Sequence, residues 1–274
     1  MEEAAPWGQC HPRGMAALAF AALKHRLVRG ALKKPVYRFI QQRCPAQDVE
    51  FQGLKLRCHI SDNGPERFVI FQERRSAWDA LNMSVDRLRP GDTFVDVGAN
   101  FGLFSAMAAK KVGAEGRVVS IEPHPELVRR LKFNMDANGF RHVTIFESAV
   151  GDKTGEAVLY ANTSSFAESS LRADATQPRK DQKATAVPIA TLLDIVERAG
   201  LSRIDALKID IEGYEDRALV PFFDTAPRGL WPKRLLLETI HADDWATDCV
   251  SKLVGCGYAI ERRTQSDALL VLPP

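Results

Sequence analysis

The chain has 274 residues, 45% of them apolar and 26% charged. That is enough for one large globular domain, or one domain with an appendage. A net charge of +2 excludes a generally cationic nucleic-acid binder. The five cysteines are odd in number and form no C-x-x-C pair. A disulfide framework and a zinc site are therefore not expected, and a reducing, cytoplasmic compartment is.

In chain order, the first unit is a basic arm, residues 1–47. Met1–Pro12 shows no periodicity and is expected to be disordered. Met1 and Met15 both remain open as the start. Gly14–Leu23 is apolar but shorter than the ~20 residues of a bilayer span. Phe20, Leu23, Leu27 and Ala31, then Val36, Phe39 and Ile40, recur at helical spacing and predict one or two amphipathic helices near Pro35. Between Glu3 and Asp48 there is no acidic residue, whereas Arg13, Lys24, Arg26, Arg29, Lys33, Lys34, Arg38 and Arg43 are basic. Such an arm suits packing on the body, on a second subunit in a homo-oligomer, or on an anionic membrane surface.

Residues 48–92 form an entry region. Val49–Ile60 alternates apolar and polar residues around Gly53 and predicts a hairpin. Arg67–Phe71 is a strand candidate. Ser76–Leu88, with Trp78, Leu81, Val85 and Leu88, predicts a helix.

Residues 93–274 form the core unit. Thr93–Val97 reads as a buried strand, followed by Gly98, Asn100 and Gly102 and then a helical pattern from Leu103. A strand, a glycine turn and a helix make a ligand pocket whose helix start presents free N–H groups. A dinucleotide fingerprint needs glycines at its first, third and sixth positions. Here Asn100 and Leu103 occupy the last two, which disfavours a nicotinamide-dependent oxidoreductase, the rival reading.

Further strands are predicted at Arg117–Ile121, His142–Phe146, Ala157–Tyr160, Thr185–Ile189, Ile204–Ile211, Arg234–Ile240, Tyr258–Glu261 and Ala268–Leu272. Helices are predicted at Pro125–Asn138, Ala190–Ala199 and Asp243–Gly255. The polar segment 162–183 is expected to be a lid or disordered loop. The alternation predicts an α/β fold: a doubly wound, mostly parallel sheet with an N-terminal helical arm.

Several strings resemble one family. DVGANFG (96–102), IEP (121–123), SAVGD (148–152), LKIDIEGYE (207–215) and ETIH (238–241) resemble the FkbM family of S-adenosylmethionine-dependent methyltransferases. The resemblance spans roughly Asp92–Leu272. It implies the seven-stranded, Rossmann-like class I methyltransferase sheet in the order 3-2-1-4-5-7-6. It implies S-adenosylmethionine as cofactor and transfer to a hydroxyl oxygen of a sugar or secondary metabolite. A non-catalytic, membrane-associated methyltransferase-like module is the further alternative.

Candidate cofactor contacts are Asp96, Gly98, Ala99, Asn100, Phe101 and Gly102 at the turn, Glu122 and Pro123 after the second strand, and Ser148 and Ala149 after the third. An acid roughly ~20 residues past the glycine turn is placed to hold ribose hydroxyls; His124 beside it reads as solvent-exposed. Lys208, Asp210 and Glu212 share one face if the strand runs through them. Lys208 and Glu212 are candidate substrate contacts. Asp210, Glu238 and His241 are candidate catalytic residues, because a hydroxyl needs help to lose its proton. Asp210 and Glu238 could hold Mg²⁺, but a required metal is not favoured. The expected partner is a small-molecule or glycan hydroxyl acceptor, not a nucleic acid.

Overall fold

The computed structural model of the chain describes residues 5–25, 27–60, 62–71, 75–162, 165–171 and 182–273. Expectations at residues 1–4, Arg26 and the Trp78 side chain lie outside the described residues.

Helices α1 (Met15–Lys24) and α2 (Lys33–Arg43) precede a hairpin of β1 (Ala46–Phe51) and β2 (Leu54–His59). Gln52 and Gly53 both take positive φ, 50° and 72°, as a two-residue hairpin turn requires. Strand β1 begins at Ala46, so it straddles the expected boundary after residue 47.

Residues 5–12 are not disordered as expected. The Asp48 carboxylate accepts the N–H groups of Gly8 and Cys10 at 2.7 and 2.9 Å and pairs with Arg57 at 2.8 Å. Arg57 also donates to the carbonyls of Ala5 and Pro6 at 2.9 and 3.1 Å. A buried ion pair with all these donors satisfied fixes the segment.

Helix α3 (Gly64–Phe71) replaces the strand expected at Arg67–Phe71. The run Phe68–Phe71 is apolar throughout, so periodicity cannot separate a short buried strand from a buried helix. Pro65 and Glu66 in the first turn favour the helix, and the Arg67 N–H closes onto the Asn63 carbonyl at 3.2 Å. Helix α4 (Arg75–Val85) follows.

The core begins with β3 (Thr93–Val97), α5 (Leu103–Val112), β4 (Arg117–Ile121), α6 (Pro125–Ala137) and β5 (Val143–Phe146). Next come β6 (Ala149–Gly151), β7 (Gly155–Asn162), β8 (Ser165–Ser170), β9 (Gln182–Thr191) and α7 (Leu192–Arg198). The chain closes with β10 (Ala206–Ile209), α8 (Glu215–Thr225), β11 (Arg234–Glu238), α9 (Cys249–Gly255), β12 (Ala259–Arg263) and β13 (Asp267–Val271).

The main sheet has seven strands in the order β12-β13-β11-β10-β3-β4-β5. Strands β11, β10, β3, β4 and β5 run parallel, and β13 is antiparallel to both neighbours. This is the class I methyltransferase sheet, in the expected order. Helices α4, α5 and α6 cover one face and α7, α8 and α9 the other, each over its own apolar cluster. The order of β10, β3 and β4 changes direction at β3, and that switch point is where such sheets bind ligands.

Three departures from expectation have local causes. Helix α8 was not predicted. Ala218, Leu219, Phe222 and Phe223 give it a buried face despite Pro221 in its interior. Parallel β10 and β11 need a crossover of this kind. Helix α9 starts at Cys249 rather than Asp243, because the Asp248 carboxylate accepts the N–H groups of Val250 and Ser251 at 2.9 and 3.2 Å. The segment expected as a loop over 162–183 contains β8 and the start of β9. With β6 and β7 these form a second sheet of order β6-β9-β7-β8. Residues 163–164 and 172–181 lie outside the described residues.

Candidate active site

The glycine turn closes β3 and opens α5. The N–H groups of Gly98 and Ala99 both donate to the Ile121 carbonyl at 3.0 Å, tying the turn to β4. Gly98 has φ of 77°, and a Cβ there would stand 1.9 Å from the Asp210 carbonyl oxygen. Only glycine fits between the two strand ends. Asn100 takes φ of 53°, a conformation Asn tolerates better than most residues. Its side-chain oxygen accepts the Phe101 N–H at 2.8 Å and the Asn63 amide at 2.5 Å.

Beyond the turn lies a cleft of about 410 Å³, a usual size for a small-molecule site. Gly98, Ala99, Asn100, Phe101, Glu122, Pro123, Ser148 and Ala149 all line it. Glu122 is 5% exposed. Its two oxygens accept the N–H groups of Asn100 and His124 at 2.8 and 2.9 Å. Burial pushes its carboxyl up to about 7, against the pull of those two N–H groups. The Ser148 hydroxyl is buried at the cleft wall with no hydrogen-bond partner among the described residues.

Two expected cofactor contacts sit elsewhere. Asp96 is not on the cleft wall but fully buried beneath the turn, accepting from Ser105 Oγ at 2.6 Å. Its position inside a strand with both neighbours paired turns it down into the fold. Gly102 is packed against α6, where a Cβ would meet Leu131 at 2.4 Å. It is therefore a packing residue. His124 is also buried, contrary to expectation. Its Nδ1 accepts the Glu126 N–H at 3.2 Å and caps α6.

Lys208 has a role that its expected substrate contact does not describe. It borders the cleft but is 4% exposed. Its ammonium donates to the Gly98 carbonyl at 2.7 Å and the Val97 carbonyl at 3.3 Å. It stands 3.6 Å from Asp96 and 3.7 Å from Asp210. Burial works against its charge, but Asp210 and Asp96 outweigh that and raise its pKa. A buried cation thus clamps the glycine turn between two acids.

Strand β10 stops at Ile209, so the shared strand face expected for Lys208, Asp210 and Glu212 does not extend to Glu212. Glu212 lies in a turn at φ of 57°. The turn is held by Glu215, fully buried, which accepts the N–H groups of Ile211 and Gly213 at 2.8 and 3.3 Å and the Trp245 indole at 2.8 Å.

Asp210, Glu212, Glu238 and His241 nevertheless line the same cleft as Gly98 and Glu122. His241 Nε2 lies 3.1 Å from Glu212. Burial, then the charges of Asp210 and Glu212, push the Glu238 carboxyl well above the carboxylate range. That shift favours the protonated form of Glu238 beside Asp210.

Two groups of cleft residues were missed by sequence reasoning. Ser266 and Asp267 reach it because β13 pairs antiparallel with β11, setting Asp267 opposite Glu238. Gly64, Pro65, Arg67 and Phe68 reach it from α3. Asn63 links that helix to the turn: its amide donates to Glu66 at 2.9 Å as well as to Asn100, and Glu66 in turn binds Arg130 of α6 at 2.7 Å. A correct helix assignment at Gly64 would have been the signal.

The glycine turn at the switch point, the buried acid past β4 and the polar residues of the same cleft define a methyltransferase of the class I fold. A family model described as the methyltransferase FkbM domain matches residues 96–239, and the chain belongs to that family. S-adenosylmethionine is the cofactor of this class. The antimetabolite synthetase AmbE of Pseudomonas aeruginosa is 28% identical over 227 residues, covering 67% of this chain and 10% of that protein. The chain thus spans about a tenth of that relative. The 31-O-demethyl-FK506 methyltransferase FkbM of Streptomyces tacrolimicus is 27% identical over 204 residues, 63% of this chain and 75% of that protein. Among solved structures, a methyltransferase FkbM from Methylobacillus flagellatus KT aligns with a TM-score of 0.45 and 16% identity, over 94% of this chain and 59% of that one.

Proposed function

We propose that the chain transfers a methyl group from S-adenosylmethionine to a hydroxyl oxygen of a small polyhydroxyl acceptor, a sugar or secondary metabolite. The observation that carries this is the union, in one cleft, of the Gly98 turn and Glu122 with Asp210, Glu212, Glu238 and His241. Carboxyl groups in pairs suit neutral hydroxyls, which donate to one oxygen and accept from another. The relative from S. tacrolimicus carries an O-methylation in its name, which supports the oxygen acceptor.

The residues present fit the cofactor. Glu122 has acceptor capacity left beyond its two backbone bonds and suits paired ribose hydroxyls; Ser148 Oγ has no partner among the described residues and suits a purine edge. The cofactor, when bound, supplies an electrophilic methyl carbon and a neutral thioether leaving group. The protein supplies alignment and a place for the hydroxyl proton. The His241 ring lies between two acids, Glu212 at 3.1 Å from Nε2 and Asp244 at 3.8 Å from Nδ1, so we assign the acceptor's proton to His241 and the ring's orientation to these acids. Asp210 and protonated Glu238 hold the acceptor hydroxyls.

The test is a ligand comparison followed by turnover. S-adenosylmethionine and S-adenosylhomocysteine should raise the melting temperature, and NAD should not. A shift with NAD alone would sink this reading in favour of the oxidoreductase. With an acceptor found by screening polyhydroxyl compounds for S-adenosylhomocysteine release, His241→Ala and Asp210→Asn should each lower kcat by roughly 10²–10⁴-fold. Cofactor affinity should stay within a few fold. Loss of affinity without loss of kcat would reassign both residues to cofactor binding.

A further inference from the structure

We propose that the amino-terminal arm docks the protein on an anionic lipid surface. Met15 and Leu18 of α1 are each 73% exposed, and Leu27 and Leu32 in the connection to α2 are 77% and 67% exposed. These are the four most exposed large apolar side chains among the described residues, and all lie between positions 15 and 32. Scattered apolar residues need no explanation, but a concentration of this kind marks an interaction surface.

The opposite side of α1 is already used. Ala16 and Leu23 are buried, and Phe20 meets Phe71 of α3 with ring centroids 5.7 Å apart. A helix apolar on both sides, with one side covered by its own protein, still needs a partner for the other. At ten residues, or ~15 Å, α1 is too short to cross a bilayer. No helix among the described residues is long and apolar enough to do so. Lying in the interfacial plane is the geometry left to it.

Charge selects the partner. Arg13, Lys24, Lys34, Arg38 and Arg43 are exposed on the same arm, and no acid lies between Glu3 and Asp48. Two copies of the arm would repel each other, which opposes a symmetric dimer through this face. A nucleic acid would meet the charge but leave Met15, Leu18, Leu27 and Leu32 in water. A lipid surface of negative charge satisfies both features. Helix α3 joins the two sites: its first residues line the cleft and its last, Phe71, packs on Phe20 and Tyr37. Docking through the arm therefore holds the cleft one short helix away from the lipid.

The experiment is co-sedimentation of the full chain with phosphatidylcholine vesicles, with and without phosphatidylserine. Binding is expected only with phosphatidylserine, and added salt should weaken it. Met15→Asp with Leu18→Asp should abolish it. Lys24→Glu with Lys34→Glu should weaken it by on the order of tenfold or more. Circular dichroism and the cofactor-induced thermal shift should be unchanged in both variants, because none of the four residues touches the core or cleft. Equal binding to neutral vesicles, salt-insensitive binding, or unchanged binding of the Met15/Leu18 variant would overturn the proposal. So would a dimer that the same variant dissociates, with no vesicle binding.

Discussion

Glu122 shows how one buried carboxyl links stability to ligand binding. Its pKa stands at about 7 against an ordinary 4.5. A group raised in the folded state contributes stability that is complete below 4.5 and lost as pH rises through 7, a loss on the order of a few kcal/mol. Ribose hydroxyls donate to the ionised form, so cofactor affinity should run the other way. It should rise roughly tenfold from pH 6 to above pH 8, read by calorimetry. Glu122→Ala should weaken binding by an order of magnitude or more, about 1.5–3 kcal/mol, and flatten the pH profile. A profile that keeps its slope in the variant would place the titrating group elsewhere. Lys208 makes a second case. Lys208→Met leaves Asp96 buried without its cation, and chemical denaturation should show a loss on the order of 3–5 kcal/mol. A loss below about 1 kcal/mol would show that the two acids do not need it.

At the scale of elements, the turn between β3 and α5 concentrates the constraints. Gly98→Ala must force a side chain into the Asp210 carbonyl at positive φ. Far-UV circular dichroism should show the sheet retained while cofactor binding falls below detection. Gly113→Ala is the control: it also sits at positive φ, 65°, but nothing lies within 4 Å of its Cβ, so it should cost about 1 kcal/mol and spare binding. Retained binding in Gly98→Ala would mean that the strand ends can separate. The β3–turn–α5 unit was legible because a β-branched run, two glycines and a helical period occur in immediate succession. Helix α3 was not, because four consecutive apolar residues carry no period. Helix α8 was not, because Pro221 interrupts a pattern that burial against α7 and α9 sustains.

At the scale of the whole molecule, the arm and the catalytic unit share a core but not a site. Leu23 and Ile40 are buried in the cluster that includes α3 and α5, yet among the described residues none before Gly64 lines the cleft. A chain beginning at Pro45 keeps β1 whole and removes α1 and α2. Its melting temperature should fall, since two fully buried aliphatic side chains are each worth about 1.5–3 kcal/mol. Its affinity for S-adenosylmethionine should stay within a few fold of the full chain. A folded truncated chain that binds no cofactor would mean that the arm supports the cleft through α3 and Asn63.

The glycine turn and the acids after each strand could be read from the sequence, because each is written in contiguous residues whose spacing matches a strand or helix period; the sheet order came from the family resemblance. The tertiary structure alone decided what those residues do. Asp96 lies on the strand that leads into the turn and Lys208 on the next, and their pairing beneath Gly98 depends on β3 and β10 being neighbours. Asp267 faces Glu238 only because β13 folds back antiparallel on β11. The upward push on the Glu238 carboxyl follows from its burial beside Asp210. Electrostatics of this kind depend on distance and dielectric in three dimensions, which no one-dimensional pattern encodes.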